Sequence, residues 1–171
     1  PFISEIILPS SRVPNVMGQA FAGSGWELLT TLKMMTRKAN VPTEQITTSF
    51  CEYATDDDLH ELYEILYFTF DSRVSHLPTL EALQVSIQKN EILLIRDEKK
   101  IGAFIIVKVV GNRMQYIYQV CTRAEHRGKG FAKSLLNKAF IIAGEGISFQ
   151  LWVEDNNISA VALYEKLGFE V

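Results

Sequence analysis

The chain has 171 residues, with 17 Lys and Arg against 20 Asp and Glu, a formal net charge of −3 with histidine neutral. Hydrophobic residues make up 47% and charged residues 22%, which excludes a chain too polar and too charged to bury a core. The slightly acidic balance argues against a nucleic-acid binder acting through bulk positive charge. The apolar run 101–110 is broken by Gly102 and Lys108 and is too short to cross a bilayer. No basic segment followed by an apolar one marks the N-terminal residues. Cys51 and Cys121 both sit in apolar, strand-like runs and read as reduced core thiols of a cytoplasmic protein.

In chain order, 47–53 reads as a short strand, and 56–70 as a helix with Leu59, Leu62, Tyr63, Leu66 and Phe70 at helical spacing. Thr55 can cap that helix. Asp56, Asp57 and Asp58 then suit the positive end of its dipole better than they suit a metal ion. A loop around 72–78 leads to a second helix, capped by Thr79 and running through Leu80, Leu83 and Ile87. Two β-rich runs, 91–96 and 101–110, flank the charged turn 97–100 as a hairpin, and Gly111-Asn112 turns into a third strand at 114–122. A helix is expected over 127–143 with Phe131, Leu135, Ala139 and Ile142 on one face, ended by Gly144 and Gly146. A strand at 147–153 and a helix at 157–167, stopped by Gly168, complete the order β-α-α-β-β-β-α-β-α. This is an α/β fold with a mixed, mostly antiparallel sheet flanked by helices. Its closing β-α-β unit is a right-handed crossover between parallel strands, and ligands bind at the carboxyl ends of such strands.

The turn between 122 and the next helix reads Arg123-Ala124-Glu125-His126-Arg127-Gly128-Lys129-Gly130-Phe131-Ala132. Glycines at a helix start allow close backbone approach, the first-turn N–H groups lack intrahelical partners, and Arg127 and Lys129 add positive charge: together, an anion site suited to a pyrophosphate. A solvated strand-to-helix turn is the plain alternative. A P-loop is excluded because Gly130 follows Lys129, and a dinucleotide fingerprint because Lys133 occupies its third glycine. What remains is Arg-x-x-Gly-x-Ala at Arg127, Gly130 and Ala132. At this point the sequence resembles the GNAT-family N-acetyltransferases, whose acetyl-CoA loop reads Q/R-x-x-G-x-G/A. The stretch 157–169, Asn-Ile-Ser-Ala-Val-Ala-Leu-Tyr-Glu-Lys-Leu-Gly-Phe, resembles the family's terminal helix N-x-x-A-x-x-L-Y-x-K-x-G-F. The resemblance covers about 47–171.

The resemblance implies acetyl-CoA as co-substrate, with no metal, and a primary amine, small-molecule or peptide, as acceptor. Backbone N–H groups of Gly128, Lys129, Gly130, Phe131 and Ala132 would hold the pyrophosphate, with Arg127 alongside. Val120 and Thr122 would pair through backbone with the pantetheine arm, and an N–H near Val120 could serve the thioester oxygen. Asn157 would bond the pantetheine, although a helix N-cap explains it equally well. Tyr164 matches the family's frequent general acid. A phenol of pKa about 10 is a weaker acid than a thiol near 8.5, so a hydrogen bond to the developing thiolate is more plausible than free protonation. The general base is not apparent: 114–120 reads Met-Gln-Tyr-Ile-Tyr-Gln-Val, without carboxylate or histidine. An alkylamine near pKa 10.4 is only ~0.04% neutral at pH 7, so the proton must be removed. Tyr118 or Gln119 could position a water chain, Glu52 could be the proton's sink if it faces the cleft, and His76 lies in the loop where the family often builds its acceptor wall, while His60 and His126 read as solvent-exposed.

Residues 1–44 have no place in the family's order. At a constant offset of 143 residues, Phe21, Gly25, Trp26 and Glu27 fall on Tyr164, Gly168, Phe169 and Glu170. Residues 1–44 therefore resemble the C-terminal end of one acetyltransferase copy, and 45–171 most of another, as in a tandem or permuted chain. The run 26–37 would be a closing strand, although Ser24-Gly25-Trp26-Glu27 also fits a helix cap. That strand could serve its own chain or a second copy, giving a homodimer or strand exchange, with no nucleic-acid or membrane partner. The leading expectation is an N-acetyltransferase; its rivals are a non-catalytic CoA-binding or assembly module on the same fold and a tRNA- or nucleoprotein-directed enzyme, the last disfavoured by the charge.

Overall fold

A computed structural model of the chain describes residues 30–43 and 50–171; the architecture below is that of the compact unit Leu32–Val171. The repeat segment around 20–28 and residues 47–49 of the strand expected at 47–53 lie outside the described residues. The elements are β1 (Leu32–Arg37), β2 (Glu52–Tyr53), α1 (Leu59–Thr69), α2 (Leu80–Gln88), β3 (Ile92–Asp97), β4 (Lys100–Val109), β5 (Met114–Thr122), α3 (Phe131–Ala143), β6 (Ser148–Glu154), α4 (Ile158–Lys166) and β7 (Phe169–Glu170). Short 3-10 turns at Asp56–Asp58 and Ala124–His126 precede α1 and α3.

The strands form one seven-stranded sheet in the order β2-β3-β4-β5-β6-β1-β7. Pairing is antiparallel from β2 to β5, then parallel between β5 and β6 across the α3 crossover. β1, from the N-terminal part of the chain, lies antiparallel between β6 and β7. Of the run 26–37 expected as a closing strand, Leu32–Arg37 is a strand, and residues 26–29 lie outside the described residues.

Helices cover both faces, which is why β4 reads as a continuous apolar run rather than an alternating one. Ala103 and Ile105 join the cluster under α3 and α4 with Leu135, Leu136, Phe140 and Leu151. Ile101, Phe104 and Ile106 join the cluster under α1 and α2 with Leu62, Leu66, Leu83 and Ile87. Each fully buried Leu, Ile or Phe removes enough apolar surface from water to contribute roughly 1.5–3 kcal/mol. Cys51 and Cys121 are buried free thiols, and burial pushes both thiol pKa values up, Cys51 to about 11.

Two expectations need correction. α3 starts at Phe131 rather than 127, because Gly128 (φ +79°) and Gly130 (φ +80°) hold left-handed conformations that no helix continues through. Its buried stripe is Leu135, Leu136, Ala139 and Phe140, whereas Ile142 is turned outward and 46% exposed. At the start of α1, Thr55 and Asp58 form a reciprocal capping box, and the three aspartates mark a helix start. Burial raises the Asp58 pKa, but the Thr55 N–H and the Arg96 guanidinium (2.7 Å) outweigh it and hold the carboxyl below its usual range.

Candidate active site

The site begins with an irregularity in β5. Ile106 pairs with Gln119 and Val107 with Ile117, so Tyr118 is an extra residue in β5, a β-bulge. A bulge bends its strand and sharpens the twist. β6 accompanies β5 only from Met114 to Tyr116, and beyond that β6 pairs with β1 alone. The two parallel strands therefore splay from Ile117 onward.

Alternation decides which backbone groups face the gap. The Arg123 N–H donates to Gly102 O at 2.9 Å, so this pair is bonded across the β4–β5 ladder. Thr122, opposite Ala103, and Val120, opposite Ile105, are then non-bonded pairs whose N–H and C=O groups point away from β4, into the gap. The Thr122 hydroxyl is buried without a partner among the described residues, which a bound polar group would relieve.

Past Thr122 the chain turns through Ala124–His126 into the glycine loop. The first helical bond of α3 runs from Ser134 N–H to Gly130 O. The N–H groups of Gly128, Gly130, Phe131 and Ala132 bond nothing among the described residues, and a Cβ at either glycine would point into open space. Four orphan donors at the N-terminus of a 13-residue helix form a concave anion site, with the positive end of the dipole behind it. Arg127 is exposed and makes no ion pair among the described residues, whereas Lys129 is engaged by Asp97 at 3.3 Å.

The loop is held in place from below. His126, read from sequence as exposed, is instead largely buried: its ring stacks on Phe131 with centroids 5.8 Å apart, and Nδ1 lies 3.2 Å from the Asp97 carboxylate. Gly102 makes this possible, since a Cβ there would meet the His126 and Phe131 rings at 3.1 and 3.2 Å. Glu61 on α1 accepts from Arg123 and from the Ile101 N–H, bracing the other side. A lone glycine amid an apolar strand was the available signal for this docking, but it does not name the rings that need the space.

Tyr164 lies in the core under α4, 8% exposed, with its ring 5.6 Å from Phe169. Burial pushes its phenol pKa up to about 12. The hydroxyl bonds nothing among the described residues, yet it is not among the oxygens sealed from solvent. Asn157 is the N-cap of α4: its Oδ1 accepts from the Ala160 N–H at 3.2 Å, leaving its NH2 group as donor.

Of the suggested bases, Glu52 is not at the gap. It sits on β2, three strand spacings or ~14 Å from β5, in an ion pair with Arg96. The Tyr118 hydroxyl donates to the His76 carbonyl and so ties the 71–79 loop to the bulge. Burial raises the Tyr118 pKa, so its hydroxyl stays protonated near neutrality. A charged cavity of about 480 Å3 lined by Asp97, Lys99, Lys100, Arg123, Glu125 and His126 lies behind the loop. None of the gap-facing groups or Tyr164 lines it, and the open gap is the better seat for chemistry.

A bulged strand splays from its parallel neighbour and ends in a glycine loop at a helix N-terminus, leaving an open gap lined by unpartnered backbone groups. The family model of the acetyltransferase (GNAT) family matches residues 56–169, and the chain belongs to that family. A mycothiol acetyltransferase of Corynebacterium efficiens is 36% identical over 86 residues, 49% of this chain but 29% of the relative. Among solved structures, a GCN5-related N-acetyltransferase from Sphaerobacter thermophilus superposes with a TM-score of 0.70 at 18% identity, covering 92% of this chain and 53% of the other. The PaiA N-acetyltransferase of Thermoplasma acidophilum, solved with coenzyme A, gives 0.61 at 22% identity, covering 71% and 89%. The match thus spans less than a third of the curated relative's length. Among the described residues, no helix is long and apolar enough to cross a membrane.

Proposed function

We propose that the chain carries an acetyl-CoA-dependent N-acetyltransferase domain that moves an acetyl group to the primary amine of a small molecule or peptide. The observation that carries this reading is the continuity of unpartnered backbone donors, from Val120 and Thr122 in the gap to Gly128, Gly130, Phe131 and Ala132 in the loop. Such a track suits an extended amide-containing arm ending in a pyrophosphate. The bound thioester supplies an activated carbonyl and a thiol leaving group. The Val120 N–H is aimed where charge gathers on the carbonyl oxygen as the amine nitrogen attacks. Arg127 lies beside the phosphates, and the Asn157 NH2 group is free to donate to the pantetheine. The Tyr164 hydroxyl donates a hydrogen bond to the sulfur as the C–S bond breaks; with a pKa of about 12 it keeps its proton. His76, on the loop pinned by Tyr118, is the candidate acceptor of the amine proton. Residues 1–44 are read as the end of one acetyltransferase copy and 45–171 as the catalytic domain.

A thiol-release assay against a panel of amines tests this, with acetyl-CoA binding measured in parallel by calorimetry. Binding together with amine-dependent release supports the transferase. Binding without release to any amine supports the second reading, a CoA-binding module, which the engagement of Glu52 by Arg96 favours because it leaves the gap without a carboxylate base.

A further inference from the structure

The two faces of the sheet are covered unequally. α3 and α4 pack on the face that carries Ile117, Phe149, Leu151 and Met35, so that face is covered as far as β1. α1 and α2 pack on the other face, and their cluster takes side chains from β3, β4 and β5 but, among the described residues, none from β6 or β1. Side chains alternate along a strand. Trp152, between Leu151 and Val153, and Met34, next to Met35, therefore stand on the part of the sheet that α1 and α2 leave open. The two are cross-strand partners, 45% and 44% exposed, and form a patch of apolar surface rather than scattered residues.

This patch borders the gap. Tyr116 and Gln150 form the last β5–β6 pair, and the next residues on the same face are Tyr118 on β5 and Trp152 on β6. Where the strands part, an aromatic side chain thus stands on each bank. Tyr116 extends the β5 bank, with its ring edge-on to that of Tyr118 and the centroids 6.4 Å apart. Both tyrosines are only partly buried. Lys108 Nζ lies 4.8 Å over the Tyr118 ring. The β5 edge of the patch is therefore cationic, which sets it against ligands that carry several ammonium groups.

The direction of attack follows from the same asymmetry. On the transferase reading above, on which this inference rests, the phosphates are held at the start of α3 and the sulfur by Tyr164 of α4, both on the covered face. The arm enters the gap from that side, so the thioester carbon is open to an amine from the face of Tyr118 and Trp152. The 71–79 loop, tied to Tyr118 through the His76 carbonyl, lies on that face too. An amine arriving there lays its body over the aromatic banks. We propose that Tyr116, Tyr118, Trp152 and Met34 form the acceptor seat and select a primary monoamine with an apolar body of aromatic size over small polar amines and polyamines. Stacking and burial of that body supply the recognition.

Phenethylamine is the probe, with ethanolamine and putrescine as comparators. In a Trp26→Phe chain, Trp152 is the one tryptophan. With coenzyme A present, phenethylamine should give a saturable blue shift of its emission, and ethanolamine none; no shift with phenethylamine would overturn the proposal. In the thiol-release assay, kcat/KM for phenethylamine should exceed that for both comparators at least about tenfold. Trp152→Thr, at an exposed strand position, should bring the three amines within about twofold of one another and leave acetyl-CoA affinity within about twofold of the parent. Met34→Thr should reduce the preference in the same direction, which keeps the test open if Trp152→Thr does not fold. Release without the preference would refute the seat and leave the transferase reading standing, whereas a saturable shift without release from any amine would uphold the seat and refute transfer. A dimer in light scattering that Trp152→Thr dissociates, with the choice among amines unchanged, would make this face a contact between copies and overturn the proposal.

Discussion

Replacing Tyr164 by Phe separates the chemistry of the hydroxyl from the packing of the ring. The ring is in the core, 8% exposed, and Phe preserves it. The hydroxyl has no protein partner among the described residues, so its loss leaves nothing unsatisfied, and stability should change by less than about 0.5 kcal/mol. Its chemical contribution is bounded by its pKa. Moving its proton from about 12 onto a thiolate whose conjugate acid lies near 8.5 is uphill by ~5 kcal/mol, whereas a hydrogen bond to a charged acceptor contributes roughly 1.5–3 kcal/mol. Donation without transfer is therefore the larger net effect, and it predicts a fall in kcat of roughly 10- to 150-fold, with acetyl-CoA affinity within about twofold of the parent. Stopped-assay kinetics, calorimetric binding and urea melts on the same preparation check all three. A variant with unchanged kcat would remove Tyr164 from the mechanism, and one that loses stability in step with activity would make it a core residue only.

Gly130→Asp should weaken acetyl-CoA binding at least 100-fold by calorimetry while the fold survives, since the Cβ points into open space but the residue requires φ +80° and would set a carboxylate among the orphan N–H groups. Arg37→Met should destabilise by ~3 kcal/mol in urea, because it strands the buried Leu167 carbonyl and undoes three further bonds; a loss below 0.5 kcal/mol would mean that desolvating the guanidinium offsets all it gains. The raised Tyr164 pKa makes the folded chain hold its proton after the unfolded chain has lost it, so this contribution is complete below pH ~10 and is lost between ~10 and ~12, by about 3 kcal/mol. Alkaline melts of the parent should be steeper in that window than those of Tyr164→Phe. His76→Ala should lower kcat/KM at least tenfold without altering acetyl-CoA affinity, and an unchanged value would move the base elsewhere.

Much of the core was legible because burial imposes periods. Leu59, Leu62 and Leu66 announced α1 by their spacing, and the β-rich run at 101–110 announced β4 as a strand. The glycine loop was legible because positive φ at Gly128 and Gly130 is a backbone demand that few other residues meet. What escaped was long-range and specific. Nothing local distinguishes Tyr118 as the bulged residue, because a bulge exists only relative to the register of the partner strand. The burial of Arg37 is not legible locally, because the Leu167 carbonyl it bonds lies 130 positions away, even though the Val41 and Pro42 carbonyls are near in sequence. His126 looked exposed because its shelter is the space left by Gly102, 24 positions earlier. The expected start of α3 at 127 failed because helical spacing extends through a loop whose glycines have already left the helix.

The cleft is built chiefly by what the backbone leaves unpaired. One extra residue in β5 parts it from β6, and the parting exposes the Val120 and Thr122 groups that an ordinary parallel ladder would have consumed. Left unfilled, such a gap would tend to close by re-pairing of β5 with β6, and the structure opposes that from both sides. β6 is held by six paired positions on β1, with β1 itself anchored through Arg37 to the carboxyl end of α4. β5 is held by its ladder with β4 and, beyond its end, by the Glu61–Arg123 pair at 2.6 Å. The strand supplied from the N-terminal part of the chain therefore does more than cap an edge. It keeps β6 from following β5, and so sustains the row of unpaired donors proposed above to hold acetyl-CoA. Loosening β1 should accordingly weaken acetyl-CoA binding even though β6 stands between β1 and β5 in the sheet, because on this reading the gap is held open by the β1–β6 ladder rather than by the residues that line it.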